Sequence, residues 1–272
     1  MKDIQQGQLF TLRLLAVDGD DRRIAQRARL SYDRDDDEGY ERLVRYLMEH
    51  WHSGPFEFCS MQFELTAPLA IVAQLLRHRT FSFNQMSMRY VPPPETAYIP
   101  EVYRVPGGSS KQGSEVDESR EDAWHEEQWD ACATAIDYCN AVYHQLIEAG
   151  VAPEQARMVI PQAQHTRIVF KADLHNLLHY LRLRLHPHAQ LEHRLIAEAI
   201  AEHVKEAFPV AWQAFRDFRL DSQTFSAEEV AILRRACKEI EAMHGGFEEE
   251  ARQVFGSESK YRRFMEKLEV KR

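Results

Sequence analysis

Residues 120–149 constrain the fold most. Trp124, Ala131, Ala135, Tyr138, Val142 and Leu146 recur every three or four positions, the period of an α-helix. Gly150 is a stop signal, and Pro153 suits the first turn of a short helix beyond it. The rest of the fold has to be arranged beside this long helix. Strand patterns lie on both sides. Over 56–65, Phe56 and Phe58 share one phase, and Met61, Phe63 and Leu65 share another. That slip predicts a strand with a bulge, ended by Ala67-Pro68. Residues 165–170 read as a second strand. Tyr40, Leu43, Tyr46, Leu47 and Trp51 predict an amphipathic helix over 40–51, after an acidic run at 33–38 read as a solvated loop or helix start. Leu69, Val72, Leu75 and Leu76 predict a helix over 69–79 that runs into Arg77-His78-Arg79. Residues 173–184 and 190–207 are helical. Gly107, Gly108 and Gly113 mark 104–119 as a mobile surface loop.

Ser226 and Glu229 form a capping-box pair. Val230, Leu233, Cys237 and Ile240 then line one helix face, and Gly245-Gly246 end it. Residues 247–272 carry dense mixed charge and predict short surface helices.

At 272 residues the chain makes one large domain or two small ones. No stretch approaches the roughly 20 apolar residues of a membrane span. The segment 1–9 lacks the basic-then-apolar order of a signal peptide. The 4 cysteines form no CxxC pair, so a reducing cytoplasm is the expected compartment. A net charge of −9 argues against a general nucleic-acid binder and leaves room for a local basic pocket.

Residues 74–90 supply that pocket. Arg77, His78 and Arg79 stand where an apolar helix ends. Thr80, Ser82, Asn84, Gln85, Ser87 and Tyr90 follow as uncharged hydrogen-bonding groups, with Arg89 among them. Guanidinium pairs bidentately with phosphate. Gln74 and Arg77, three apart, share a helix face. The composition describes a site for a dianionic ligand with a polar ring; a solvated basic helix end neutralised by carboxylates is the plainer alternative.

This segment resembles the signature of the flavin-dependent thymidylate synthases, the ThyX family: Arg-His-Arg, seven residues, then Ser, here Arg77-His78-Arg79 and Ser87, followed by Arg89-Tyr90. His52-Ser53-Gly54-Pro55-Phe56-Glu57 resembles a second family segment, Ala156-Arg157 through Ile160-Pro161 a third, and 173–184 the helix of its late Asn/His and Arg positions. The resemblance covers roughly 25–215 in the family's order. It implies an α/β (α+β) fold, an antiparallel sheet flanked by helices. It also implies reductive methylation of dUMP to dTMP, with methylenetetrahydrofolate as carbon donor and NADPH supplying hydride through FAD. A homotetramer whose sites combine several subunits follows from it, with no metal.

Carried over position by position, Arg77, His78 and Arg79 line the FAD site, and Arg77 also faces dUMP. Gly54, Gln85, Asp173, Leu174, His175 and His179 match further flavin positions. Gln74, Leu75, Leu76, Gln85, Met86, Ser87, Met88, Arg89 and Arg157 match nucleotide positions; backbone N–H groups and Arg89 suit a phosphate there. His52 matches a residue near the reaction centre, and Ser31 an N-terminal segment. Asp173 and His179 stand where some members have Asn. Arg184 matches the residue facing the uracil. A guanidinium cannot act as a base at neutral pH. Its expected role is electrostatic, favouring an N3-ionised or enolate-like ring.

No cysteine has a basic partner in a recognisable catalytic motif, so Cys59, Cys132, Cys139 and Cys237 read as buried structural thiols. Ser87 has no base-and-orienter pair and is assigned to binding. The expected division is a catalytic domain over 1–220 and a helical extension over 221–272. The extension is read as capping a subunit surface, with covering an active-site mouth or binding a partner as the alternatives.

Overall fold

A computed structural model describes residues 4–6, 9–33, 38–107, 113–244 and 246–269. The chain divides into two compact units, Met1–Asp221 and Ser222–Arg272.

In order, the larger unit contains β1 (Ile4–Gln6), β2 (Phe10–Asp18), α1 (Asp21–Arg29), α2 (Tyr40–Glu49), β3 (Ser60–Pro68), α3 (Leu69–Leu75) and β4 (Ser82–Gln85). A small ribbon follows, β5 (Val105–Pro106) with β6 (Ser114–Glu115), then α4 (Asp122–Glu148) and α5 (Pro153–Ala156). β7 (His165–Asp173), α6 (Leu174–Arg184), α7 (Leu191–Ala207) and α8 (Pro209–Phe215) complete it.

The main sheet has the order β1-β2-β3-β7-β4, and every pairing is antiparallel. Its alternation is one-sided. Met61, Phe63, Leu65 and Ala67 of β3 are buried, as are Ile168, Phe170 and Ala172 of β7. Register sets Phe63 opposite Phe170 and Leu65 opposite Ile168. Their shared face carries the core, with Leu177, Leu181, Ile196 and Ile200 from α6 and α7 in the same cluster. Burying side chains of this size contributes roughly 1.5–3 kcal/mol each. On the other face Arg13 pairs with Glu64 directly across the β2–β3 ladder. Asp21 is buried and accepts the backbone N–H groups of Val210 and Ala211, at 2.8 and 2.9 Å, joining α1 to the start of α8.

Several expectations change. The bulge lies in β2, between Leu14 and Ala16, rather than near residue 60. Residues Gly54–Phe58 form a 3-10 turn with Pro55 in its first turn. In that turn Phe56 is 2% exposed and Phe58 61%, so their spacing of two is no strand signal. α3 closes at Leu75, because Arg77 and His78 bond back three residues to Gln74 and Leu75 and tighten the last turn. Gln74 and Arg77 therefore do not share a continuous helix face.

The long helix forms, but only part of its anticipated apolar face is covered: Trp124, Val142 and Leu146 are half-buried, with Leu146 packed on a second small core, while Ala131, Ala135 and Tyr138 are exposed. Tyr143 is its buried residue, packed with Met88, Ala156 and Ile160 in that core. The loop over 104–119 is partly a ribbon, with Gly107 donating to the Gly113 carbonyl; residues 108–112 lie outside those described, as do 34–37 of the acidic run. Cys59 is buried, and burial raises its thiol to about 11; Cys132, Cys139 and Cys237 are only half-buried.

The smaller unit is α9 (Ala227–His244), α10 (Phe247–Phe255) and α11 (Glu258–Glu269). Its capping box forms both bonds: Ser226 N–H donates to Glu229, and Glu229 N–H to the Ser226 hydroxyl. Gly245 lies outside the described residues, while Gly246 has a φ of +86°. Among the described residues no helix is long and apolar enough to cross a membrane.

Candidate active site

Arg184 lies in the last turn of α6, where a cation is favoured by the exposed carbonyl ends. Its Nε donates to His78 Nε2 at 3.0 Å, and Nη2 reaches the Gln74 carbonyl at 3.4 Å. A guanidinium only donates, so Nε2 of His78 carries the lone pair. Burial, then the charges of Arg184 and His179, lower His78 to about 4. The neutral ring therefore holds its proton on Nδ1. Its edge packs at 81° on Tyr180, which is wholly buried. Behind it, His193 contacts the Tyr180 hydroxyl at 3.1 Å and is lowered by burial to about 3. These groups form a dry support under the Arg-His-Arg turn.

A second group surrounds the end of β4. Gln85 donates to the Thr166 hydroxyl at 3.1 Å, and Met86 N–H to the Arg167 carbonyl at 2.8 Å. Met88 anchors the following turn in the small core. Ser87 is held in that turn, its carbonyl accepting from Tyr90 and Val91. Arg89 pairs with Glu154 at 3.1 Å. Ala156, packed with Met88, fixes the start of Arg157. The Arg77, Arg79 and Arg157 side chains are exposed, and no hydrogen-bond or ion-pair partner engages them among the described residues.

A third group lines two cavities. The larger, about 860 Å³, has Gly54, His52, Ser31, Arg27, Arg42 and Phe58 in its walls. The smaller, about 70 Å³, is lined by His52, His175, His179, Arg182 and Arg219. His52 lies on the wall of both. The larger cavity is within the range of cofactor sites. A Cβ at Gly54 would meet nothing within 4 Å, so that wall is open. Guanidiniums beside imidazole and aromatic faces suit a pyrophosphate and a flat ring system, and this donor set fits FAD.

Three anticipated contacts are limited by local structure. The Leu75 and Leu174 side chains are in the core, 1% and 0% exposed, so a ligand could meet only their backbone. Asp173 caps α6, accepting from Asn176 N–H at 2.9 Å and from its side-chain amide at 2.7 Å. Leu76 is exposed at 39%. Sequence reading missed Gln190, Glu192 and Arg104. Glu192 bonds Arg104 at 2.7 and 2.9 Å, Gln190 donates to Glu192 at 2.9 Å, and Gln74 donates to Gln190. A Gln and a Glu just ahead of the apolar stripe of α7 were the available signal, but Arg104 is too distant in sequence to have been paired with them. Arg27 and Arg42 were missed too, although their density in α1 and α2 is visible.

Fold and site together describe an α+β protein whose antiparallel sheet carries a guanidinium-rich, nucleotide-sized site. The family model described as thymidylate synthase complementing protein matches residues 13–210. A flavin-dependent thymidylate synthase of Thermus thermophilus is 42% identical over 228 residues, covering 82% of each chain. One from Ruegeria pomeroyi is 40% identical over 233 residues, covering 82% of this chain and 76% of its own. The crystal structure of a UMP/dUMP methylase, PolB from Streptomyces cacaoi, bound with 5-Br dUMP, superposes with a TM-score of 0.70 at 29% identity, covering 78% of this chain and 96% of that one. The chain belongs to the flavin-dependent thymidylate synthase family.

Proposed function

We propose that this chain methylates dUMP to dTMP, taking the carbon from methylenetetrahydrofolate and the reducing equivalents from NADPH through FAD. The Met1–Asp221 unit is the catalytic domain. The enzyme works in the cytoplasm as a homotetramer. Neither nucleic acid nor membrane is a partner.

The carrying observation is Arg184: its Nε is fixed by neutral His78 and its Nη2 rests on the Gln74 carbonyl, leaving Nη1 to meet a ligand. Bound FAD supplies the hydride that reduces the transferred one-carbon unit. Arg77, Arg79, Gly54, His175 and His179 hold the flavin, and His52 stands at the reaction centre. Ser87, Arg89, the backbone of 86–88 and Arg157 hold the nucleotide phosphate. Gln74, Gln85 and Arg184 face the pyrimidine. Arg184 stabilises negative charge on the ring and so favours an N3-ionised or enolate-like pyrimidine that is more nucleophilic at C5, a stabilisation delivered without reorganisation because His78 has already oriented the guanidinium.

The test is tritium release to water from dUMP labelled at C5, with FAD, NADPH and methylenetetrahydrofolate present. Release dependent on NADPH and the folate supports the reading. Folded, flavin-loaded protein that releases none overturns it.

A further inference from the structure

His52 follows directly on the end of α2 and stands on the wall of both cavities. Among the described residues no hydrogen bond holds its ring; the aromatic neighbours Tyr46 and His50 lie 6.0 and 6.5 Å away between ring centres. The direction of His52 is therefore set by the backbone that delivers it.

That backbone is unusual at one point. The end of α2 closes with His50 N–H on the Tyr46 carbonyl and His52 N–H on the Leu47 carbonyl, both at 3.0 Å. A bond of the second kind goes with a left-handed residue just ahead of its donor, a position glycine ordinarily takes. Here that residue is Trp51, at φ +64° and 67% exposed. A side chain in this region crowds its own carbonyl, so the turn is not one that tryptophan favours by itself.

Arg219 supplies the support. It comes from a π-helical turn, Arg216–Leu220, wider than an α-helical one and closed by Asp221 N–H on the Arg216 carbonyl at 2.9 Å. The Arg45–Asp217 ion pair, at 2.7 Å, ties that turn to α2. The Arg219 guanidinium lies 3.5 Å from the centre of the Trp51 ring, and its Nη2 donates to the Met48 carbonyl in the last turn of α2. One side chain thus grips both the left-handed residue and the helix end it leaves.

We propose that Arg219 is a positioning residue for the reaction: by clamping Trp51 in its left-handed conformation, it holds His52 where the two cavities meet. The inference rests on the functional reading that puts His52 at the reaction centre.

The test separates backbone from ring. Arg219→Met keeps much of the side-chain bulk and removes the charge and its donors. Turnover per bound flavin, read by tritium release from C5-labelled dUMP, should fall about tenfold. The KM for dUMP should not move, because residues 86–89 and Arg157 are untouched. Adding Trp51→Gly to Arg219→Met should recover most of the loss, since glycine takes a positive φ without help. A double variant no more active than Arg219→Met overturns the proposal, as does Arg219→Met with wild-type turnover. If Arg219→Met does not fold, Trp51→Ala and Trp51→Gly decide. Both delete the ring, and only glycine keeps the turn without strain. Turnover per flavin should then be about fivefold higher in Trp51→Gly than in Trp51→Ala; equal turnover overturns the proposal. A wild type that holds flavin and releases no tritium overturns the functional reading instead, a result distinct from lost positioning.

Discussion

The Arg184 cluster and the Ser87–Arg157 rim are both rich in cations, yet they are built differently. Arg184 is half-buried and oriented by His78, above a floor of Tyr180 and His193. Arg77, Arg79 and Arg157 stand in solvent without partners among the described residues. The first region has its geometry before any ligand arrives. The second takes its geometry from what it binds. Orientation of a charge needs neutral, buried neighbours that cost little to desolvate; attraction of an anion needs only exposed charge.

The largest effect that separates the two is on turnover. Arg184→Ala should lower tritium release by about 10²–10³, with a melting temperature within a few degrees of wild type. Equal losses of stability and activity would show the cluster to be structural. Next, Arg157→Ala and Arg79→Ala should weaken dUMP and flavin binding respectively by roughly tenfold or more, as expected for a charge-assisted bond. Their melting temperatures should not move, and both losses should shrink as salt is raised.

The buried floor gives a pH effect that the rim does not. His78 stands at about 4 in the folded chain against an ordinary value near 6.5. As pH falls, the unfolded chain takes up this proton first, so stability is full above about 6.5 and declines toward 4. His193, lowered to about 3, extends the decline. Denaturant midpoints between pH 7.5 and 4.5 should follow this slope, and His78→Phe should flatten it. The smallest effect lies outside both regions. Ser226→Ala removes one half of the capping box of α9 and should cost the Ser222–Arg272 unit about 1 kcal/mol, read by local hydrogen exchange.

The strands β3 and β7 and most helices were legible because burial periodicity is local, whereas β1, β2, β4 and α1 were not read from the sequence. Met61, Phe63 and Leu65 alternate, and all three are buried on one sheet face. Ser226 and Glu229 announce a cap that forms. Misreadings arose where one spacing fits two geometries. Phe56 and Phe58 looked like a strand, but Pro55 and the turn around it send them to opposite environments. The apolar spacing of α4 was read correctly as helix, yet its direction was not, since Ala131 and Tyr138 face away from this unit's core.

By itself the sequence determined the family, through short ordered motifs whose resemblance implied the antiparallel sheet, and the cluster of cations at 77–89, because motifs and cluster are carried by residues near one another in the chain. Tertiary structure alone decided how those cations are held. His78 and Arg184 meet across 106 positions, and Arg104 and Glu192 across 88. No local pattern encodes such pairs. The polarity of a side-chain amide, the tautomer of a buried histidine and the freedom of a guanidinium depend on which partners folding brings within 3 Å.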